Sequence, residues 1–398
     1  MAMSEHLYEV LERLIAFDTV SIHSDVAAME YLATEFDGAG FETELQHIDA
    51  GGVPQANLVA WAGPPRPDGL IISGHLDTVP VEGQPGWERD PFRVEIGGDR
   101  IFGRGTSDMK GFLAQCAEAA RTIGRERLTR PLVFVFTADE EVGMRGASSV
   151  SPALQELLGD VPRPNLAWIG EPTSFSIYHA HKCVTAFEIK VRGRGGHSGN
   201  PELGVNAIAV MGKAIDVIGR LQLERRNLRN QDFAAIFPDA PYDVMNFGTI
   251  TGGVASNIIA EQCAMRMTYR SLPDTDPLGL YREIERRLGE IDTHDYGSPN
   301  HLASFEMGNP VIAPPLLSPR GTALEHALFE ATGADSALGA PFATDGAWFA
   351  REGIVTLICG PGEFAQAHQP NESIGKDAFE RGPAMVVGVV ERLCCRPD

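Results

Sequence analysis

The stretch SGHLDTVP at residues 73–80 places His75 and Asp77 directly after the apolar run Leu70–Ile72. An imidazole and a carboxylate so close together form either a polar loop or part of a metal site, because both groups are common ligands of zinc and other divalent ions. Taken alone, His75 is more often a hydrogen-bonded polar residue than a metal ligand. The rest of the chain therefore has to decide between these two interpretations.

Acidic residues and a second histidine follow three further apolar runs. Leu132–Phe136 is followed by TADEEVG, Leu166–Ile169 by GEP, and Ile354–Ile358 by a glycine-rich turn that leads to a histidine. In addition, the segment RGTSDMKG introduces an aspartate before an apolar pattern with helical spacing. These segments supply the following candidate ligands and acid–base groups: Asp108, Asp139, Glu140, Glu141, Glu171 and His368.

Each acidic segment also has an ordinary structural explanation. Residues 139–141 resemble a helix N-terminus, where acidic side chains suit the helix dipole. Asp108 could be an N-cap, and Glu171 before Pro172 could belong to a turn. Their joint occurrence, each just after an apolar run or at the start of a helix, favours a shared site instead.

A cluster of carboxylates resists full ionisation, because each negative charge raises the pKa of its neighbours. One or two divalent cations remove that repulsion. Two histidines and three carboxylates are too many for one tetrahedral zinc ion with an open position. They fit two metal ions about 3.5–4 Å apart that share one bridging carboxylate. The sequence therefore predicts a dinuclear metal site suited to hydrolysis.

The apolar runs also indicate how these residues are positioned. The runs, which include Leu58–Trp61, are apolar nearly throughout, as in strands buried on both faces of a helix-covered sheet. In open α/β sheets, ligands bind outside the carboxyl ends of the strands. We therefore predict an α/β domain with a mainly parallel sheet whose strand ends converge on one site.

The middle of the chain follows another pattern. Thr185–Arg192 and Cys263–Arg270 alternate apolar and polar residues, which is typical of strands with one solvent-facing side. Helical patterns between such strands give the order β-α-β-β-α-β, which indicates a ferredoxin-like α+β domain. We predict a catalytic domain at residues 1–180, an inserted domain at residues 181–309, and the rest of the catalytic domain at residues 310–398.

Composition limits the classes of function. The 398 residues carry a formal net charge of −21, so no basic surface for nucleic acid or anionic membranes is expected. No apolar run reaches the length of about eighteen residues that a bilayer requires. Acidic residues near the N-terminus argue against a signal peptide, and six scattered cysteines indicate a reduced environment. We expect a cytoplasmic protein without nucleic-acid or membrane partners.

Five motifs occur in the order GHLDTVP, GRGTSDMKG, TADEEVG, IGEPT and AHQPNE. With them, the sequence over about residues 5–395 resembles the dinuclear zinc metallopeptidase family that includes acetylornithine deacetylase, succinyl-diaminopimelate desuccinylase and a glutamate-releasing carboxypeptidase. The resemblance implies a zinc-binding, exopeptidase-like α/β domain interrupted by a smaller dimerisation or lid domain. It also implies a homodimer with two Zn2+ ions per subunit, for which Co2+ or Mn2+ could substitute.

The resemblance implies one histidine and one glutamate for each metal ion, with a bridging aspartate between the ions. The matching residues of this chain are His75, His368, Asp108, Glu141 and Glu171. Asp77 would orient His75 through its far ring nitrogen. Glu140 would be the general base that takes a proton from water.

Residues of the inserted domain are implied as well. In VRGRGGHSGNP, His197 matches a histidine that reaches across the dimer and stabilises the oxyanion in the other active site. Asn257 and Arg270 match positions that contact substrate, and Thr344 lies on a loop that lines the pocket. Without the resemblance, His197 would be a loop residue and Arg270 a charge at a strand end.

The segments HKCVTA and FPDAPYDVMN are most similar to the deacetylases, whereas the loop FATDGAWF is more similar to the desuccinylases. We expect hydrolysis of a small N-acyl amino acid, most simply N2-acetylornithine to ornithine and acetate. A desuccinylase or carboxypeptidase with another pocket is one alternative. A non-catalytic binding protein with this fold is another, although it would be expected to lose Glu140 or a metal ligand, and the chain retains them all.

Overall fold

The fold is known from a computed structural model, which describes residues 5–49, 51–296 and 301–396. The helices of these residues are α1 (Glu5–Ala16), α2 (Val26–Gly38), α3 (Lys110–Thr122), α4 (Arg145–Leu157), α5 (Ala207–Asn227), α6 (Gly279–Gly289), α7 (Ala323–Thr332), α8 (Gly346–Arg351) and α9 (Lys376–Cys394). No helix among them combines the length and the apolar character that crossing a bilayer would require.

The strands of the described residues are numbered in chain order. They are β1 (Glu42–Asp49), β2 (Pro54–Ala62), β3 (Leu70–His75), β4 (Glu95–Gly97), β5 (Arg100–Phe102), β6 (Leu132–Thr137), β7 (Leu166–Ile169), β8 (Ile177–His181), β9 (Cys183–Arg192), β10 (Gly196–His197), β11 (Val244–Gly252), β12 (Ile258–Ile259), β13 (Gln262–Ser271), β14 (Ser304–Met307), β15 (Val311–Ala313), β16 (Leu316–Leu317), β17 (Ala337–Ala340), β18 (Val355–Ile358) and β19 (Ser373–Gly375).

Chain contacts divide the structure into two compact units. The first comprises the described residues of Met1–Ala180, Leu316–Gly339 and Thr344–Asp398, and the second comprises those of His181–Pro315 and Ala340–Ala343. This division differs slightly from the predicted boundary at residue 310, because β15 pairs with β9 and so belongs to the second unit.

The first unit is built on a large twisted sheet with strand order β1-β2-β6-β3-β7-β18-β8-β16. The four central strands β6, β3, β7 and β18 run parallel, whereas β2 is antiparallel to β6 and to β1. Every residue of β3 and β6 is buried, because α1, α2, α3 and α9 share a core with one face and α4 and α8 contact the other. The predicted α/β class and mainly parallel sheet are confirmed.

The second unit is an antiparallel sheet with strand order β11-β13-β9-β14 and two helices on one face. Ile189 and Val191 of β9 and Met265 of β13 face the helices and are buried with Ile218 and Ile284. The alternate residues of β9 are partly buried or, like Lys190, exposed. This period of two explains why both strands were recognisable from sequence.

A small sheet with strand order β19-β5-β4 connects distant parts of the first unit. Ser373 pairs with Phe102 and Gly375 with Arg100. The pairing therefore brings the loop that follows β5 next to the loop that precedes β19.

Candidate active site

The carboxyl ends of three parallel strands lie side by side in the first unit. His75 at the end of β3 pairs with Thr137 at the end of β6, and Ser73 pairs with Ile169 at the end of β7. Glu171 follows β7 by two residues. The strand register therefore sets the predicted ligands of three separate segments at one edge of the sheet, as expected for an open α/β fold.

Asp108 lies between the two histidines. Its Oδ1 is 3.1 Å from Nε2 of His75, and its Oδ2 is 3.5 Å from Nε2 of His368. Glu171 Oε2 lies 4.0 Å from Nε2 of His75, and Glu141 Oε2 lies 2.9 Å from Nε2 of His368. The five side chains thus form two histidine–glutamate sets, with one oxygen of Asp108 directed at each set.

The carboxylates of this cluster are buried without a cationic side chain of lysine or arginine. The side chains of Asp108, Glu141 and Glu171 are only 9%, 6% and 8% exposed, and no lysine or arginine among the described residues forms an ion pair with them. Burial raises the pKa of Glu141 and of Glu171, and nearby carboxylates raise both further despite the adjacent imidazoles.

Divalent cations fit this donor set. One donor atom from each of His75, Asp108 and Glu141 lies within 4.8 Å of the others, and imidazole with carboxylate oxygen is a ligand set that zinc prefers. A positive ion between these groups would also offset the repulsion among the buried carboxylates.

His75 is fixed by its other ring nitrogen. Nδ1 lies 2.9 Å from the backbone carbonyl oxygen of Asp77 and 3.5 Å from the Asp77 carboxylate Oδ1. A proton on Nδ1 donated to the carbonyl leaves the lone pair of Nε2 directed at the cluster. Asp77 therefore contacts the far ring nitrogen of His75 as predicted from the sequence, and its main-chain carbonyl is nearer than its carboxylate.

The Asp77 carboxylate mainly holds the turn that follows β6. It accepts hydrogen bonds from Ser21 Oγ at 2.6 Å and from the backbone N–H groups of Glu140 and Glu141 at 3.0 and 3.2 Å. Burial alone would raise the pKa of Asp77, but the contacts with His75, Ser21 and the Glu140 N–H lower it below its usual value. An ionised Asp77 therefore positions the two glutamates next to each other.

Glu140 has the environment of a proton acceptor. Burial raises its pKa well above the usual value, and the neighbouring carboxylate of Glu171 adds to this effect. A carboxylate with a raised pKa takes and returns a proton near neutral pH more readily than an ordinary glutamate does.

Residues 71–392 of the chain match the sequence model of Peptidase family M20/M25/M40. The protein belongs to this peptidase family. Acetylornithine deacetylase of Pectobacterium carotovorum subsp. carotovorum (strain PC1) is 33% identical over 380 residues, which cover 95% of this chain and 94% of the relative. Acetylornithine deacetylase of Proteus mirabilis (strain HI4320) is 33% identical, with coverage of 97% and 96%.

Solved structures of M20 peptidases share the fold. An M20 family metallo-carboxypeptidase from Sulfolobus solfataricus superposes with a TM-score of 0.76 at 17% identity, covering 98% of this chain and 99% of that chain. A dinuclear metal binding peptidase of the M20 family from Bacillus subtilis has a TM-score of 0.65 at 16% identity, covering 96% and 97%. As a member of the M20/M25/M40 family, the protein is a hydrolytic enzyme that acts on amides.

Three further residues predicted for the site of this M20 enzyme lie in the second unit. His197 pairs with Ile258 in a short ribbon, and the backbone N–H of Ser198 donates to the carbonyl of Asn257 at 3.1 Å. His197 is exposed, and its Nδ1 accepts from the backbone N–H of Gly199 at 3.0 Å. The second unit thus places His197 beside Asn257.

Arg270 and Thr344 have different surroundings. Arg270 lies at the end of β13 in the second unit, where its Nη1 donates to the carbonyl of Pro341 at 3.3 Å and burial lowers its pKa. Thr344, in the first unit, is fully buried, and its Oγ1 accepts from the backbone N–H of Gly346 at 3.2 Å.

Sequence reasoning missed three charged residues around the cluster. Arg104 and Glu372 are both buried and lie within motifs that were recognised without a role for them. Asp345 is also buried, accepts from Thr137 Oγ1 at 2.5 Å, and has its pKa raised to about 7 mainly by burial. Arg104 and Asp345 each adjoin a glycine and Glu372 follows Asn371, and none of these neighbours reveals a buried position.

Another buried carboxylate, Asp25, lies near Asp77. It is 1% exposed, its Oδ1 accepts from the backbone N–H of Ala56 at 2.9 Å, and its Oδ2 has no hydrogen-bond partner among the described residues. Burial, with a smaller contribution from Asp77 and Asp139, raises its pKa to about 7. In the unfolded chain the pKa returns to about 3.9.

We expect Asp25→Asn to raise the stability of the first unit, relative to wild type, by more at pH 8 than at pH 5. Between the unfolded and folded pKa values, folded Asp25 binds more protons than the unfolded chain, so its contribution to stability is lost as pH rises through about 7. Asparagine does not ionise, and the expected gain between the two pH values is about 1–3 kcal/mol.

Urea unfolding followed by tryptophan fluorescence measures this effect, since all 4 tryptophans lie in the first unit. A chelator in the buffer removes any contribution from pH-dependent metal binding. Asp160→Asn, at an exposed position of the same unit, is the matched control. An equal stability difference between the Asp25 variant and wild type at both pH values would contradict the prediction.

Proposed function

We propose that this enzyme hydrolyses the amide bond of N2-acetylornithine to give ornithine and acetate, with two divalent metal ions, natively zinc, at the cluster. The observation that supports the chemistry is the position of Asp108, whose two oxygens face His75 and His368 within a buried group of uncompensated carboxylates. The relatives named acetylornithine deacetylase, similar over nearly the full chain, support the substrate.

In this proposal, His75 and Glu171 would hold one ion, His368 and Glu141 would hold the other, and Asp108 would contribute one oxygen to each set. When bound, divalent ions supply Lewis-acid polarisation of a carbonyl oxygen and lower the pKa of water. The site therefore pairs that chemistry with side chains that are already arranged as two sets of ligands.

Glu140 is the proton carrier of the proposed mechanism. It takes the proton of the attacking water and delivers it to the nitrogen of the departing amine, so that the amine leaves as a neutral group. Asp77 keeps Glu140 in place through the backbone N–H bond. No lysine or arginine among the described residues forms an ion pair with Glu140, so no such cation competes for the proton-accepting carboxylate.

The proposal includes residues of the second unit and the state of the protein in solution. His197, supplied by the second subunit of a homodimer, stabilises the oxyanion, while Asn257 and Arg270 contact the substrate and the loop of Thr344 lines the pocket. The planar guanidinium of Arg270 suits a substrate carboxylate. A cytoplasmic location agrees with an intracellular amino-acid substrate. A stable monomer with full activity would contradict the dimeric part.

A substrate panel tests the proposal. We expect kcat/KM for N2-acetylornithine to exceed that for N-succinyl-diaminopimelate and for N-acyl glutamates by at least about tenfold, the discrimination that a few pocket contacts provide. The measurement is release of free amine by the zinc-loaded enzyme, with Co2+-loaded and Mn2+-loaded enzyme in parallel and metal analysis of the purified protein.

Faster cleavage of a succinylated substrate would favour the desuccinylase alternative, in agreement with the similarity of the loop FATDGAWF to the desuccinylases. This result would overturn the assignment of the substrate but not the assignment of the reaction. If the metal-loaded enzyme hydrolysed none of the amides in the panel, the proposed mechanism would be overturned as well.

A further inference from the structure

Arg104 and Glu372 form a buried ion pair outside the set of proposed metal ligands. Nη1 of Arg104 donates to Oε2 of Glu372 at 2.9 Å, and each side chain is 1% exposed. Because removing two charges from water is costly, such a pair persists only where further hydrogen bonds satisfy it. The partners of these two groups therefore indicate what the pair does.

The Glu372 carboxylate binds the main chain of the loop that carries Asp108. Its Oε2 accepts from the N–H of Gly105 at 3.0 Å, and its Oε1 accepts from the N–H groups of Ser107 and Asp108, both at 2.9 Å. Three backbone groups and one guanidinium thus converge on a single carboxylate. The loop cannot move away from Glu372 without losing all of these bonds.

The Arg104 guanidinium binds the loop that carries His368. Nη1 donates to the carbonyl of Gln369 at 3.3 Å, and Nη2 donates to Oε1 of Gln84 at 2.5 Å. Gln84 in turn donates from Nε2 to the carbonyl of His368 at 3.4 Å. The guanidinium also lies over the ring of Trp87, 5.0 Å from its centroid, which holds its plane.

The His368 loop needs such support. His368 and Asn371 have φ angles of 62° and 56°, in the left-handed region that residues other than glycine seldom adopt, although histidine and asparagine do so more often than most. Asn371 is held by the N–H of Glu88 at 2.9 Å and by the carbonyl of Gly86 at 2.8 Å. The contacts of Arg104 add to this support and, through Glu372, connect the His368 loop to the Asp108 loop.

We propose that Arg104 and Glu372 are positioning residues that hold Asp108 and His368 at the separation required for binding divalent ions. The inference rests on the proposed function, because it assumes that this cluster binds metal. Neither residue is among the proposed metal ligands or the residues proposed to contact substrate. Their effect is on metal affinity, since ligands that are already in place lose less conformational freedom when an ion binds.

Glu372→Gln tests the inference with nearly unchanged shape. In the variant, an NH2 group replaces a carboxylate oxygen that accepts two hydrogen bonds. The NH2 group is itself a donor, so both of those hydrogen bonds are lost. We expect the dissociation constant of Zn2+ to rise by about 10–100-fold, as for other residues that orient metal ligands. The measurement is titration of metal-free protein with Zn2+ in competition with a chromophoric chelator.

Activity at saturating Zn2+ should recover towards the wild-type value, because the ligands and Glu140 are unchanged. Glu325→Gln is the matched control. Glu325 is 2% exposed and accepts from Arg320 and from the N–H of Gly321, so it resembles Glu372 in chemistry but binds other segments. Its substitution should leave the Zn2+ dissociation constant within about twofold of wild type, as expected for sites without shared partners.

A second variant covers failure of the first to fold. Arg104→Lys keeps the charge but loses the planar fork that reaches Gln84 and Gln369, so an intermediate weakening of Zn2+ binding is expected. Unchanged Zn2+ affinity in the variants that fold, or equal weakening by Glu325→Gln, would overturn the inference. Wild-type protein that binds no divalent ion would instead overturn the proposed function.

Discussion

Replacing Glu140 with glutamine is expected to lower kcat by about 10²–10⁴-fold on the best substrate of the panel. The amide has the shape of the carboxyl group but cannot accept the proton of water or return it to the leaving amine. The buried site offers no bypass, because burial and Glu171 raise the pKa of Glu140 and no lysine among the described residues pairs with it. The measurement is steady-state kinetics at saturating metal.

Metal content separates a base from a ligand in this experiment. If Glu140 only moves protons, Glu140→Gln binds the same amount of zinc as wild type, and KM changes little compared with kcat. Glu82→Gln, at an exposed loop position, is the control for glutamate substitution in the same unit and should have wild-type kinetics. Activity within tenfold of wild type in Glu140→Gln, with metal bound, would exclude the assignment of the base.

The buried core of the first unit could be predicted from the sequence because a strand that is buried on both faces consists almost entirely of apolar residues. Leu132–Phe136 is apolar throughout since helices cover both faces of β6. The apolar pattern carries no information on strand direction, and Leu58–Trp61 looks identical although β2 is antiparallel to β6. Strand Glu42–Asp49 was missed because it lies at the sheet edge, where most side chains remain accessible and the apolar signal is weak.

The candidate ligands were predictable because each follows a buried strand or starts a helix, and strand register then brings them together. Contacts between distant loops could not be predicted from the sequence. The three N–H groups on Glu372 depend on where two loops lie relative to each other, and backbone donors have no sequence signature. The bond from His75 to the carbonyl of Asp77 is invisible for the same reason, since any residue has a carbonyl.

Removing the metal is expected to abolish amide hydrolysis and to lower the unfolding temperature of the first unit by about 5–15 °C. An ion present at about 1,000 times its dissociation constant stabilises the folded state by about 4 kcal/mol, because the unfolded chain does not assemble the ligands. The measurement is activity and thermal unfolding by tryptophan fluorescence after dialysis against a chelator, and again after Zn2+ is restored.

The pH dependence of this stabilisation gives the sharper test. Without metal, burial raises the pKa of Glu141 and Glu171 in the folded protein. Their contribution to stability is therefore lost as pH rises through these folded-state pKa values. With metal, the ligands must be deprotonated, so binding strengthens as pH rises. Both effects widen the gap between metal-bound and metal-free unfolding temperatures from pH 5 to pH 8. Asp108→Asn, which weakens the shared ligand, should reduce the gap at every pH. A gap that is independent of pH, or that persists in the Asp108 variant, would show that the ion binds elsewhere.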